Sequence, residues 1–393
     1  MSSSDVLIVG GGPAGSTCAW KLRQAGLDVV VLDKSAFPRD KVCAGWITPS
    51  VVDELKLDLD EYRSAATLAP HPRPLSLCGG EGSGQSRTLQ PITRFLTGVI
   101  GGGEVETKYD QPMSYGIRRC EFDHYLLTRS GARLQLGESL RSMRLENGEW
   151  IVNDTYHARL VIGAGGHFCP VARFTAPDAD DGAPVVLAQE IEFEMNAAQR
   201  DACRVEPDRP ELFFCRDLLG YGWVFRKGDY LNIGLGRERE PNLSAHVTEF
   251  CEFLKQRGRV PSDITSRFHG HAYRLLRPSP RPVHHEQLLL IGDAAGLAHP
   301  QSGEGIRPAI ESGLMAAQVI VEARGDYRGD LQARLRPRYA ERFGADRPPS
   351  RWADRIPLRL KQTLAAFLLT TRWFSRHVLL DRWFLQRQQA SLM

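Results

Sequence analysis

No apolar run in this chain approaches the roughly 20 residues that a bilayer-spanning helix requires. That leaves a soluble, cytoplasmic protein or one at most peripheral to a membrane. An excess of one charge is also missing: 50 Lys and Arg stand against 47 Asp and Glu, so nothing electrostatic points to a nucleic-acid partner. Eight cysteines, Cys18, Cys43, Cys78, Cys120, Cys169, Cys203, Cys215 and Cys251, are scattered without Cys-x-x-Cys spacing. This excludes a zinc or disulfide framework and predicts reduced thiols. His269-Gly270-His271 and His284-His285 lack a third ligand at metal-site spacing, so no metal is expected. No Ser/His/Asp order, paired carboxylates or internal repeat stands out. The first apolar run starts within five residues of Met1, which predicts no signal peptide.

What is present begins at Asp5. Val6 to Val9 is a short apolar strand, Gly10-Gly11-Gly12-Pro13-Ala14-Gly15 a tight turn, and a helical pattern runs to Gly26. A second strand, Val29 to Leu32, ends on Asp33. Gly10 permits the bend, Gly12 lets backbone N–H groups approach a pyrophosphate, and Gly15 lets the helix sit close to the sheet. The helix N-terminus faces the phosphates with its partial positive charge. Asp33, about twenty residues on, can accept from both ribose hydroxyls. The stretch predicts a bound dinucleotide.

The length, 393 residues, suits two connected domains. A helix is expected from Pro49, since proline suits a first turn. Leu68 to Gly103 is rich in Pro, Gly and Ser and reads as irregular strands and loops. A further helix is expected after Arg118-Arg119-Cys120-Glu121-Phe122-Asp123. Two alternating segments, Leu134 to Leu145 and Trp150 to Val152, predict a hairpin turning at Asn147-Gly148. A strand follows at Leu160 to Ile162. Val185 to Gly236 predicts an antiparallel sheet crossed by a helix at Leu243 to Gly258. Leu288 to Ile291 is again a wholly apolar strand, followed by a helix from Glu304 to Ala323 and a helical pattern from Asp330 to the end.

The nucleotide-binding pattern therefore leaves and returns. We expect a discontinuous dinucleotide-binding domain over 1–70, 104–175 and 280–330, a sheet domain over 71–103 and 176–279, and a helical segment over 331–393. A sheet inserted in this way stands over one end of the dinucleotide, where a pocket can form between domains.

Four separated motifs resemble, in order, those of FAD-dependent proteins of the p-hydroxybenzoate hydroxylase fold, and within it the geranylgeranyl reductase branch. The resemblance covers roughly residues 5 to 325 and implies FAD on a Rossmann-like, three-layer βαβ domain of the α/β class, with an antiparallel-sheet substrate domain and a helical C-terminus. After the glycine turn comes Ile291-Gly292-Asp293-Ala294-Ala295-Gly296, whose aspartate in that fold holds the ribityl chain. It continues through His299 to Gly303-Glu304-Gly305-Ile306, where helix N-terminal N–H groups would face the flavin N1 and C2 carbonyl. Either Arg118 or Arg119 matches the arginine that reaches the pyrophosphate or flavin edge. Tyr221-Gly222-Trp223-Val224-Phe225-Arg226, with Gly234-Leu235-Gly236, resembles the YxWxFP and GxG substrate signature of the reductases. On a strand, Tyr221, Trp223 and Phe225 share one face, an aromatic wall for an apolar chain or simply sheet core. Cys43, in Lys41-Val42-Cys43-Ala44-Gly45, matches the cysteine these reductases carry beside the flavin.

By the same resemblance, the FAD contacts include Gly10, Gly12, Pro13, Ala14, Gly15, Asp33, Lys34, Cys43, Ala44, Gly45, Leu140, Gly292, Asp293, Gly303, Gly305 and Ile306, with His299 beside Tyr221, Trp223 and Phe225 in the substrate pocket. Three departures stand out. Arg226 replaces the signature proline, Gly165-Gly166 replaces the Asp-Gly pair of aromatic hydroxylases, and Phe225 replaces the second tryptophan of flavin halogenases.

The implied reaction is saturation of C=C bonds in a prenyl-like or other apolar substrate. Hydride would come from reduced flavin N5, with Cys43 and Tyr221 as candidate proton donors. The reductant would be NAD(P)H or a reduced carrier protein. A same-fold oxygenase hydroxylating an apolar or aromatic substrate and a non-catalytic prenyl-lipid carrier are the alternative readings. From Arg351 the chain holds eight basic residues against two acidic ones. This segment, 351–393, can cap the core with arginine stems or touch an anionic membrane.

Overall fold

The apolar runs read from the sequence form the centre of the first of two large sheets in the computed structural model, which describes residues 2–64, 86–175, 185–238, 242–264, 267–276, 286–344 and 357–392. Ser2–Val9 lies between Val29–Asp33 and Tyr156–Gly163, parallel to both. Arg133–Leu136 extends one side, and Leu288–Leu290 pairs parallel with Tyr156–Gly163 on the other. Val6, Leu7, Ile8, Val31, Leu32, Ile162 and Leu289 are fully buried, as expected where helices cover both faces of a parallel sheet. The helices Pro13–Gln24 and Ile306–Glu322 pack together on this sheet. Their approach is close: a Cβ on Gly313 would stand 2.5 Å from the Ala14 carbonyl oxygen.

The second sheet runs His269–Arg274, Val185–Glu194, Tyr230–Glu238, Gly220–Lys227, Glu211–Phe214, Arg94–Val99, Glu104–Lys108. It is antiparallel except where Glu211–Phe214 meets Arg94–Val99. Strand periodicity sorts its side chains. Phe213, Val224, Ile233 and Leu235 pack under helix Leu243–Gln256 through Phe250 and Leu254. Trp223, Phe225 and Phe95 face the other way, with Leu379, Leu380 and Phe384 from the chain's last helical turns. A small third sheet joins Trp46–Ile47, Ser114–Gly116 and Gln90–Ile92.

Three expectations need correction. Asn147 and Gly148 do turn a hairpin, with φ of 52° and 81°, as a two-residue turn requires. Its arms, however, are only Met143–Glu146 and Glu149–Val152; Leu134 belongs to a separate strand paired in parallel with Val29–Asp33. The helical pattern also stops at Phe384. Gln386 turns the backbone out of the helix at φ +46°, and the carbonyls of Gln386, Gln389 and Ala390 then accept from the Arg307 guanidinium. Within Leu68 to Gly103, the Gln90–Ile92 and Arg94–Val99 strands are regular, and only part of the region read as irregular lies among the described residues. His284-His285, Cys78 and Trp352 lie outside them.

A cavity between a glycine turn and an aromatic wall

The glycine turn is fixed by packing. Gly10 sits at φ +117°, and a Cβ there would lie 2.4 Å from the Ala164 carbonyl oxygen; at Gly15 it would lie 1.9 Å from the Gly10 oxygen. Gly12 differs: a Cβ would meet only Arg39 Nη2, at 3.5 Å. Its outer side faces a cavity of about 580 Å³ that runs from Gly10–Ala14 to the second sheet. The Gly11 N–H donates to Asp33 Oδ2 (2.7 Å) and the Ser35 N–H to Oδ1 (2.8 Å). Each carboxylate oxygen keeps a further lone pair, so the group is oriented with acceptor capacity to spare.

Beyond the turn, the loop Arg39–Gly45 and the helix Arg119–Arg129 supply the cationic lining. Arg119 is clamped to Asp123 by two bonds of 2.8 Å and lines the cavity beside Cys43. Burial pulls the Lys41 ammonium down to about 8 despite the attraction of Asp293. Its partner is the His271 ring, which burial and the neighbouring Lys41 charge keep neutral. His271 Nε2 lies 4.0 Å from Asp293. Two sheets and the loop therefore converge on Asp293, at the end of the Leu288–Leu290 strand.

The far end is aromatic. Tyr221, Trp223, Tyr273 and Phe384 line it above the Ser302–Ile306 loop. The Tyr221 hydroxyl donates to the Ser302 carbonyl, and the Trp223 indole to Asn232 Oδ1 (2.7 Å). The following GxG has a steric reason: a Cβ at Gly234, directly across from Trp223, would stand 2.2 Å from the indole. Gly303 is similarly required, since a Cβ there would lie 2.3 Å from the Tyr273 hydroxyl.

The cavity gathers most of the residues singled out from the sequence: Gly10, Gly12, Pro13, Ala14, Asp33 and Lys34; Cys43, Ala44, Gly45, Arg119 and Leu140; Asp293, Gly303, Gly305 and Ile306; and Tyr221 with Trp223. Five lie off it. Gly15 is covered by Gly10, and Gly292 supports the turn at φ +60° against Ala14. Arg118 points instead to Glu121 and Glu192 and stacks over Tyr230, which settles which of the adjacent arginines faces inward. Phe225, fully buried, packs on Trp46 and fills the slot left by Gly116. His299 turns toward Phe343, where burial lowers its ring to about 4.

Arg39, Lys41, His271, Tyr273 and Phe384 were not anticipated as lining residues. Only the His-x-His spacing drew attention to His271, through a metal reading set aside for want of a third ligand.

The arrangement fits FAD: an open glycine cradle at Gly12, an oriented carboxylate at Asp33, buried guanidinium at Arg119, and a helix N-terminus at Ile306. Comparison with known proteins agrees. Residues 5–76 match the family described as FAD dependent oxidoreductase. A geranylgeranyl diphosphate reductase from Rhodobacter capsulatus is 30% identical over 331 residues, covering 81% of this chain and 75% of the relative. A menaquinone reductase from Mycobacterium tuberculosis is 30% identical over 395 residues, covering 94% and 86%. The fold matches a geranylgeranyl bacteriochlorophyll reductase-like structure from Thermoplasma acidophilum with a TM-score of 0.70 at 21% identity, covering 100% of this chain and 94% of that one. With the glycine cradle, the inward arginine and the aromatic wall in one cavity, these similarities place the chain in the geranylgeranyl reductase family of FAD-dependent oxidoreductases.

Proposed function

We propose that this FAD-dependent oxidoreductase saturates C=C bonds in a prenyl-like chain. The observation that carries the reading is the continuity of one cavity from the dinucleotide cradle to a wall of Tyr221, Trp223, Tyr273 and Phe384. Relatives named for geranylgeranyl diphosphate and digeranylgeranylglycerophospholipid share a geranylgeranyl chain and differ in headgroup. Recognition of the chain by apolar rings suits that pattern.

FAD, when bound, supplies the two electrons and the hydride equivalent. Gly10–Ala14, Asp33, Lys34, Leu140 and Arg119 would hold its adenosine and phosphate part; Asp293 and Gly303–Ile306 would hold the remainder. The protein's own tasks are to exclude water, to place the alkene and to deliver one proton. Tyr221 is poorly suited to the last: burial holds its hydroxyl well above the ordinary phenol range, and its proton is committed to the Ser302 carbonyl. Cys43, beside Arg119 and open to the cavity, remains.

Anaerobically reduced enzyme mixed with geranylgeranyl diphosphate is expected to reoxidise its flavin and to yield a product heavier by two hydrogens. A product heavier by one oxygen, with oxygen consumed in air, would replace this reading with the oxygenase.

The C-terminal segment serves two ends in this reading. Leu379, Leu380, Phe384 and Leu385 cap the aromatic core. The helix Leu358–Leu369 exposes Leu360, Leu364 and Phe367, at helical spacing, with Trp373 beyond. Arg372 is exposed beside them. Such a face suits an anionic bilayer holding the lipid substrate. Flotation with phosphatidylglycerol vesicles is expected to carry the protein, and F367E/W373E to lower the bound fraction at least tenfold. Equal flotation would leave the segment as a cap alone.

A further inference from the structure

Saturating an alkene consumes a proton for every hydride, so a Cys43 thiol that gives one must be resupplied at each turnover, and among the described residues the one carboxyl lining the chamber that burial raises, Glu304, sits apart from it on the Ser302–Ile306 loop. A second, smaller cavity of about 50 Å³ lies behind the Asp40–Cys43 loop. Asp40, Lys41, Val42, Cys43 and Arg119 line both cavities, so the loop is the partition between them. The small cavity has room for roughly three waters, and its rim carries Arg267 and His269, both exposed. At its inner end stand two carboxylates from one strand, Glu190 and Glu192.

Their surroundings differ sharply. Glu192 accepts from Lys227 Nζ (2.7 Å), Arg118 Nε (3.2 Å) and Asn232 Nδ2 (3.2 Å); although burial opposes them, the two cations and these hydrogen bonds hold it below the usual carboxylate range. Glu190 is 6% exposed, and its Oε2 has no hydrogen-bond partner among the described residues. Burial, then the neighbouring Glu192 charge, pushes it up to about 7, against a hydrogen bond from the Cys43 backbone and the pull of Lys227 and Asn232. Two like groups side by side, one paired and one not, divide the labour: the paired one stays ionised and the other keeps its proton. From the helix side, Arg119 and Cys120 face the same small cavity; from the edge strand, His269 does.

We propose that Glu190 and this small cavity supply the proton for substrate saturation, acting through Cys43. The Cys43 thiol gives its proton to the carbon next to the one that receives the hydride, and the π pair of the alkene forms that new C–H bond as the hydride forms the other. The charge left on sulfur faces the Arg119 guanidinium. The Glu190 carboxyl then returns a proton to sulfur across one water of the small cavity, and bulk solvent reprotonates Glu190 past the Arg267–His269 rim. Both electrons come from reduced FAD, and nothing else is oxidised. Glu190 thus acts as a proton-supplying, positioning residue.

This inference rests on the saturation reading, and one experiment separates the two. Pre-reduced holoenzyme is mixed anaerobically with geranylgeranyl diphosphate between pH 5.5 and 9, and the flavin reoxidation rate is followed. The wild-type rate is expected to fall as pH rises past about 7. Glu190→Gln should bind FAD normally, react about 100-fold more slowly and lose that fall. Should the glutamine variant not fold, Glu190→Asp must move the midpoint of the fall; an unmoved midpoint overturns the inference. A wild type that the alkene does not reoxidise overturns the saturation reading and this inference with it. A wild type that turns over, with Glu190→Gln matching its rate and profile, overturns this inference alone.

Discussion

Gly15→Ala is expected to yield a protein that emerges from desalting without flavin and unfolds at markedly lower denaturant concentration. Its new Cβ would stand 1.9 Å from the Gly10 carbonyl oxygen, 3.1 Å from the carbonyl carbon and 3.2 Å from Ala164 Cβ. None of these can yield cheaply. Gly10 is itself held at φ +117° against the Ala164 carbonyl, so relief must open the turn and shift the helix Pro13–Gln24 away from the sheet. Overpacking of this kind costs about 1–3 kcal/mol or more, and it displaces the N–H groups of the proposed phosphate cradle. Gly12→Ala makes the contrast. Its Cβ would meet only the end of a flexible arginine, so the apoprotein should keep its stability while the methyl group intrudes where the pyrophosphate would lie. The ratio of flavin to protein absorbance, read beside the denaturation midpoint, distinguishes loss of the fold from loss of the cofactor. If Gly15→Ala retained FAD at wild-type stability, the turn would not be the cradle.

Arg307→Leu carries the second large effect. The Arg307 side chain is wholly buried and donates to Glu311 Oε1 (2.7 Å) and to the carbonyls of Gln389 (3.0 Å) and Ala390 (3.2 Å). Glu54 lies 3.7 Å away, and Arg342 meets Glu311 from the opposite side at 2.6 Å. Removing the central cation leaves a buried carboxylate short of charge, a loss of about 3–5 kcal/mol, and frees the tail that carries Phe384 into the aromatic wall. The denaturation midpoint should fall accordingly, and the substrate pocket should loosen with it.

Within the same cluster, burial and the adjacent Glu311 push Glu54 well above the ordinary value of 4.5, while Arg342 and Arg307 keep Glu311 low against its own burial. The folded chain therefore holds a proton on Glu54 that the unfolded chain releases above 4.5. Stability from this group is full below that pH and is lost as pH rises toward the folded value. Glu54→Gln should match the wild type below about pH 4.5, be more stable than it at pH 7, and flatten that decline.

Much of the cradle was legible because its determinants are local. A strand, a glycine turn and a helix are written in consecutive residues, and Gly10, Gly12 and Gly15 answer to the backbone immediately around them. The period-two aromatics of Gly220–Lys227 were equally readable as one face of a strand, though not how that face divides: Tyr221 and Trp223 reach the cavity and Phe225 packs beneath it. The choice between Arg118 and Arg119 was not legible, because it turns on what packs beside the helix start: Glu192 of the second sheet draws Arg118 away, while Arg119 stays with Asp123 one turn on and faces the cavity.

By itself, then, the sequence determined the parallel strands, the phosphate turn and the residue types that FAD requires, since periodicity and turn chemistry are properties of neighbouring residues. Only the tertiary structure decided that Lys41 meets His271, that Phe384 closes the aromatic wall, and that Glu190 stands behind Cys43 with one carboxyl oxygen unpartnered among the described residues. Those side chains are separated by more than a hundred residues along the chain, and packing and burial, which set their contacts and their protonation, exist only once the two sheets have come together.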